Sequence, residues 1–121
     1  MNYIFDNNMP IYIQLQEKIR LQIVSGIIKP GERLLSVREL ALNMKVNPNT
    51  MQKALQELEN EGLIYTERTN GKFVTDDVNL IKESKNKLAK QMVINYFNNM
   101  ESIGMTHDEA ISYLQKLGGN I

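Results

Sequence analysis

The chain has 121 residues, 42% of them hydrophobic and 23% charged, and its 14 basic side chains balance its 14 acidic ones. This composition is typical of one globular domain with room for a small appendage, and the lack of cysteine excludes disulfides, thiolate metal sites and cysteine nucleophiles. No apolar run reaches the length of a membrane span, and the first ten residues lack the pattern of a secretory signal. We therefore expect a cytoplasmic protein that contacts no membrane.

The first predicted helix follows Pro10, which suits a first helical turn because no N–H is needed there. Apolar side chains then recur every three or four residues and predict one buried face. These side chains are Tyr12, Leu15, Ile19 and Ile23. Ser25 and Gly26 predict the end of the helix, and Pro30 with Gly31 predicts a turn.

Two short helices are predicted next. Ser36 and Glu39 have the spacing of a capping box at the start of the second helix. Asn47 is the expected cap of the third, and Pro48 suits its first position. The apolar stripes predicted for these two helices are Val37, Leu40, Ala41 and Met44, and then Met51, Ala54, Leu55 and Leu58.

Gly62 predicts the end of the third helix and is followed by a hairpin. Residues 63–67 and 72–75 favour β structure, and Asn70-Gly71 between them is a strong turn signal. The polar run 76–79 is interpreted as a solvated junction.

Two further helices are predicted in residues 79–121. The first is a long amphipathic helix from Leu80 to Gly104. A second capping box, Thr106 with Glu109, predicts the start of the last helix, with His107 as an exposed first-turn residue. The side chains expected to face inward from that helix are Ala110, Ile111, Leu114 and Leu117.

Two short helices followed by a hairpin predict a mainly α fold, a winged helix-turn-helix with a small β-hairpin wing. In this design the second helix of the pair enters the major groove of DNA. The polar face opposite its buried stripe would carry the chemistry, through Asn49, Thr50, Gln52, Lys53 and Gln56. Asn and Gln can bond adenine bidentately, and Lys can donate to guanine or phosphate. The alternative is that this is only a solvated polar face.

The stretch MPIYIQLQEKIRLQIVSGIIKPGERLLSVRELALNMKVNPNTMQKALQELENEGLI resembles the winged-helix domain of the GntR family of bacterial transcription regulators. The resemblance covers roughly residues 9–75 and joins cap, turn and core positions. The matching residues are Pro10, Tyr12, Gln14, Gly26, Pro30, Gly31, Leu34, Ser36, Arg38, Leu40, Ala41, Asn47, Thr50, Ala54, Leu55, Leu58, Glu61 and Gly62.

The resemblance implies that Arg38, in the S-x-R-x-L motif, contacts a DNA phosphate or a guanine. Together with the polar face described above, it gives the predicted DNA-binding residues: Ser36, Arg38, Asn47, Asn49, Thr50, Gln52, Lys53, Arg68, Gly71 and Lys72. The chain departs from the family pattern at Leu35, which replaces a usual Pro, at Gln52, which replaces a frequent basic residue, and at Thr69 and Lys72 in the wing. Lys72 is interpreted as an extra phosphate contact.

We expect residues 1–78 to form the DNA-binding domain and residues 79–121 a two-helix dimerisation segment. GntR regulators usually carry a large effector domain after the winged helix, so this short tail is similar to the YtrA-like subfamily, whose helical tail serves dimerisation. Within it, we predict an interface at Leu88, Met92, Tyr96, Phe97 and Met100. The alternative for each of these residues is intrachain core.

The predicted function is a sequence-specific transcription regulator, a repressor, that binds a palindromic operator in double-stranded DNA as a homodimer. A winged helix used only for protein–protein contact is the alternative. We expect no catalytic site, metal or cofactor, because the single histidine has no ligand-spaced partner. The operator, the regulated genes and any small-molecule effector are not identified by the sequence.

Overall fold

The structure is a computed structural model that describes residues 5–120. The described residues divide into two compact units, one ending at Lys85 and the other beginning at Asn86. The elements are α1 (Ile11–Val24), α2 (Val37–Met44), α3 (Pro48–Asn60), β1 (Ile64–Glu67), β2 (Gly71–Val74), α4 (Val78–Ser102), α5 (His107–Leu117) and a 3-10 turn (Gly118–Asn120). The predicted mainly α winged helix-turn-helix is confirmed. Within the described residues, no helix combines the length and apolarity that crossing a bilayer requires.

The core of the first unit forms where α1 and α2 pack against α3. Leu15 of α1 and Met51, Leu55 and Leu58 of α3 are fully buried, so the predicted inner face of α3 is confirmed. Tyr12 was expected in the buried stripe of α1 but is only half-buried. Burying these stripes supplies most of the stability of short helices, whose own propensity is marginal.

Gln14 is buried in α1, although a polar residue was not expected there. Its side-chain amide is satisfied by the segment that precedes the helix. Nε2 donates to the carbonyl oxygens of Asp6 (2.6 Å) and Met9 (2.8 Å), and Oε1 accepts from the Asp6 N–H at 2.7 Å. Buried polar groups need such partners, so Gln14 fixes residues 6–9 against α1.

The helix starts follow the predicted caps. Ser36 and Glu39 form the expected capping box at α2, with both hydrogen bonds at 3.1 Å. Thr106 and Glu109 form the second box at α5. The cap of α4 was not predicted: Asp77 Oδ1 accepts from the N–H groups of Asn79 and Leu80, at 3.1 and 3.2 Å.

The wing is an antiparallel hairpin whose register runs from Ile64 opposite Val74 to Glu67 opposite Gly71. A three-residue turn, residues 68–70, joins the strands, and Gly71 has φ +97, a conformation that favours glycine. Residues 32–34, a stretch predicted only as part of a turn, form a short third segment that pairs with β2. There the Leu34 N–H donates to the Lys72 carbonyl at 2.8 Å.

The second unit packs α5 against residues of α4 that lie in the same unit. The Tyr96 hydroxyl donates to the Ala110 carbonyl at 2.7 Å, and the Phe97 ring stacks on the His107 ring with centroids 4.2 Å apart. Only Ala110 of the four residues predicted to face inward is buried. The prediction is wrong for Ile111, Leu114 and Leu117, which are 36%, 46% and 43% exposed, because two helices alone share a single narrow seam.

Candidate nucleic-acid interface

The third helix presents one polar face to solvent. Asn47 caps α3 by accepting the Asn49 N–H at 2.8 Å, and Pro48 occupies its first position. The buried stripe then fixes the rotation of the helix about its axis. As a result Asn49, Gln52, Lys53 and Gln56 are exposed, and Thr50 is half-buried.

These polar side chains differ in what already binds them. Gln56 donates to Asn60 within α3 at 3.1 Å, and the Lys53 ammonium lies 3.9 Å from the centroid of the Tyr12 ring. In the part of the chain that the structure describes, the side chains of Asn49 and Gln52 form no hydrogen bond. Their amide forks are therefore available to a ligand that offers paired donors and acceptors, as adenine does.

The helix that precedes α3 in the chain, α2, carries Ser36 at its N-cap and Arg38 in its first turn. Both are exposed. The Ser36 Oγ is engaged by the Glu39 N–H, whereas Arg38 forms no ion pair with any residue in the described range. The backbone N–H of Ser36, followed by its hydroxyl, holds the pKa of the Glu39 carboxyl below its ordinary value, and the charge of Arg33 acts in the same direction.

The wing carries the other predicted contacts, and its two cations differ. Arg68 lies in the turn, exposed and without an ion-pair partner among residues 5–120. The Lys72 ammonium lies 3.2 Å from Glu59 Oε2 and 2.9 Å from Thr66 Oγ1, and its side chain is 14% exposed. The Thr66 hydroxyl also donates to the other oxygen of Glu59. Lys72 must leave these partners to reach a phosphate.

A groove of about 570 Å³ separates the wing from the start of α2. Four of the ten predicted DNA-binding residues line it: Ser36, Arg68, Gly71 and Lys72. Arg33 lines it as well, although it is not among the predicted contacts. No local signal marks Arg33, because its position depends on the pairing of residues 32–34 with β2. The described lining includes no residue of α3.

The five residues predicted to form the dimer interface differ in how much of each is exposed. Leu88, Tyr96, Phe97 and Met100 are half-buried within the second unit, whereas Met92 is 59% exposed. A groove of about 340 Å³ in the same unit is lined mainly by apolar side chains, among them Met100, Ile103 and Leu114. Residues 5–120 contain no cluster of three or more acidic or histidine side chains that could hold a metal ion.

Residues 11–74 match the model of a family described as "Bacterial regulatory proteins, gntR family". The HTH-type transcriptional repressor YtrA of Bacillus subtilis is 30% identical over 116 residues, which cover 95% of this chain and 89% of that protein. A GntR family transcriptional regulator from Listeria monocytogenes has a similar structure, with a TM-score of 0.84 and 41% identity over 93% of this chain and 98% of that one. The DNA-binding domain of AraR in complex with operator ORX1 is also similar, with a TM-score of 0.54 and 30% identity, covering 62% of this chain and 92% of that one.

Proposed function

The chain belongs to the gntR family of bacterial regulatory proteins, and from this premise we propose that it is a sequence-specific, DNA-binding transcription regulator. It represses transcription as a homodimer bound to a palindromic operator in the cytoplasm. Residues 1–78 bind DNA, and residues 79–121 hold the two subunits together. The similarity to a repressor and to an operator-bound domain supports this proposal.

The observation that carries the proposal is the polar face of α3. Asn49 and Gln52 are exposed near the start of a helix whose other face is fully buried, and their amides are unbonded within the described chain. An unpaired amide fork on a rigid helix gains two hydrogen bonds on meeting the edge of an adenine in the major groove. We assign base recognition to these two residues, assisted by Thr50 and Lys53.

The remaining contacts position the helix on the DNA backbone. We assign phosphate contacts to Arg38 and Arg68, with Ser36, Asn47, Gly71 and Lys72 at the same surface. Contacts to phosphate fix orientation without reading sequence, which is why they accompany rather than replace the amide face. Because the chain has no net charge, affinity must come from these local cations and from pairing two subunits.

The exposed apolar side chains of the second unit support self-association. Met92, Val93 and Ile94 in α4 are 59%, 52% and 42% exposed, and four large hydrophobic residues of α5, namely Ile111, Tyr113, Leu114 and Leu117, are also exposed. In the same unit, Met100, Ile103 and Leu114 line one apolar groove, and a contiguous apolar surface of this kind is typical of an interface. A two-fold dimer then places one recognition helix on each half of a palindrome.

The test is to select preferred duplexes from a random DNA pool with the purified chain. We expect an inverted repeat with half-sites about one helical turn apart. Gln52→Ala should change the recovered base at one position of each half-site, whereas Gln91→Ala, which removes an amide bonded to Asn95 within α4, should not. A pool that shows no preferred sequence contradicts the proposal.

The alternative, a winged helix used only for protein–protein contact, predicts a different salt response. Each phosphate neutralised by the protein contributes a slope of about −0.9 to the plot of log affinity against log salt. If the chain does not bind DNA, or if its affinity for DNA does not change with salt, the result supports the alternative.

A further inference from the structure

Arg33 lies in the groove between the wing and α2, against the backbone of Gly71. A Cβ atom added to Gly71 would stand 3.5 Å from Arg33 Nε and 3.6 Å from Nη2. The guanidinium therefore lies against the wing at Gly71, where the lack of a Cβ atom leaves room for it. Gly71 serves two purposes here, since its φ of +97 also shapes the turn.

The position of Arg33 is set by backbone pairing. Arg33 pairs with Phe73 of β2, and the Val74 N–H donates to the Glu32 carbonyl at 2.9 Å. Side chains alternate between the two sides of such a segment. Leu34 is buried at 8% exposure, so Arg33 points to the opposite, exposed side, where the groove lies.

The acidic side chains of the groove are already bonded to other groups. Glu39 Oε1 accepts from the Ser36 N–H at 3.1 Å, and Glu67 Oε2 accepts from the Asn70 amide at 3.0 Å. Lys72 is bonded to Glu59. Arg33 has no hydrogen bond or ion pair from its side chain to any other described residue, so its five donors remain open to an external acceptor.

We propose that Arg33 is a phosphate-contacting residue of the DNA interface. This inference rests on the proposed function and adds a contact that the family pattern did not supply. A planar guanidinium matches the two oxygens of a phosphate with parallel hydrogen bonds. The groove already brings together Ser36, Arg68 and Gly71, so a strand that passes along it meets Arg33 between α2 and the wing. Arg33 then supplies the charge that Lys72, held by Glu59, does not.

The test compares the salt dependence of binding for the full chain and for Arg33→Gln. The matched control is Lys29→Gln, which makes the same change of charge in the same connector but does not line the groove. The probes are the selected operator duplex and a scrambled duplex of equal length. For Arg33→Gln we expect the slope to become shallower by about 0.9 for each subunit, with equal loss on both duplexes, because a phosphate contact carries no sequence information. Lys29→Gln should keep the wild-type slope.

Two further variants separate charge from packing. Arg33→Lys keeps the charge and should retain the wild-type slope, whereas Arg33→Met keeps an apolar stem against Gly71 and should lose as much slope as Arg33→Gln. If Arg33→Gln has a lower thermal midpoint than the wild type, the slope measured for Arg33→Met is used in its place. A wild-type slope in a folded variant without the charge overturns the inference, and so does loss of slope in Arg33→Lys. If the wild-type chain itself shows no salt-dependent binding to DNA, the proposed function fails instead.

Discussion

The polar side chains of the helix-turn-helix fall into two groups by what they bond. Ser36 and Asn47 use their side-chain oxygens to cap α2 and α3, so they contribute to the stability of the folded chain. Asn49 and Gln52 cap nothing and bond nothing within the described residues, so folding does not require their amides. Substitutions of Asn49 and Gln52 should therefore change recognition without changing stability, whereas substitutions of Ser36 and Asn47 should lower stability.

Gln52→Ala should alter recognition without altering stability. We expect a loss of about 1–3 kcal/mol of discrimination at one base pair of each half-site, and an unchanged thermal midpoint. Asn47→Ala is the matched comparison, and it should lower the free energy of unfolding by about 1 kcal/mol through loss of the cap. Binding to a panel of single-base operator variants, with thermal melting of each protein, measures both. A lowered midpoint in Gln52→Ala would show that its amide has a structural role.

The two capping boxes make stability depend on pH in the acid range. Hydrogen bonds from Ser36 hold the pKa of Glu39 below its ordinary value of 4.5, and those from Thr106 do the same for the pKa of Glu109. Since the folded pKa is lowered, this stabilisation is fully present above the ordinary value and is lost as pH falls through the lowered one. Glu39→Gln keeps the box geometry but does not ionise, so urea unfolding between about pH 5 and pH 3 should show a shallower loss of stability. An unchanged pH profile contradicts the assignment.

At the scale of elements, a side-chain network ties the wing to α3. Glu59 of α3, Thr66 of β1 and Lys72 of β2 are mutually hydrogen-bonded, and the Glu59 and Lys72 side chains are 19% and 14% exposed. Two residues further along the chain, just past the end of α3, Glu61 accepts from Arg20 Nε of α1 at 3.0 Å. Glu59 and Glu61 therefore each have a basic partner in the folded chain. The sequence alone does not predict these partners, because they are distant along the chain.

Glu59 and Lys72 should be energetically coupled. In a double-mutant cycle of Glu59→Gln and Lys72→Met, we expect a coupling energy of about 0.5–3 kcal/mol in urea unfolding, because each single change removes one charge and leaves the opposite, partly buried charge without its ion-pair partner. Lys72→Met should also keep the wild-type salt slope of DNA binding, in contrast to Arg33→Gln. A slope shallower by about 0.9 per subunit would instead identify Lys72 as a phosphate contact, as the sequence analysis predicted.

Local patterns were enough to predict α3, because its cap, its Pro48 and its buried stripe lie within eleven residues of one another. The same holds for both capping boxes and for the hairpin. Contacts between distant residues were not predictable. The approach of Arg33 to Gly71 depends on the pairing of residues 32–34 with β2. The hydrogen bond from Lys72 to Glu59 depends on how the wing packs against α3. An apolar pattern also cannot say whether Leu114 packs within the chain or against another molecule.

For the whole molecule, the proposed self-association would explain how a neutral protein can hold DNA. One winged helix offers few free cations, whereas two joined copies gain affinity by making the second contact intramolecular. The residues available for joining them are the exposed apolar side chains of the second unit, with Met92 in α4 and Leu114 in α5. Tyr96 and Phe97, by contrast, already contact α5 in their own chain, so we expect them to contribute less area than Met92 and Leu114 to the proposed interface.

Leu114→Glu should therefore convert the proposed dimer to a monomer. Leu114 is 46% exposed, and a carboxylate at that position would have to be desolvated without a partner when two copies associate. Sedimentation or light scattering measures the mass, with Leu42→Glu as the control, since Leu42 is 72% exposed on α2 in the other unit. Affinity for the two-half-site operator should fall by about a hundredfold or more, while affinity for a single half-site stays at the wild-type value. If the wild-type protein sediments as a monomer at the concentrations at which it binds the operator, the homodimer is ruled out. If Leu114→Glu remains a dimer, the interface does not include Leu114. Loss of half-site binding in Leu114→Glu would mean that the variant is misfolded, which far-UV circular dichroism detects independently.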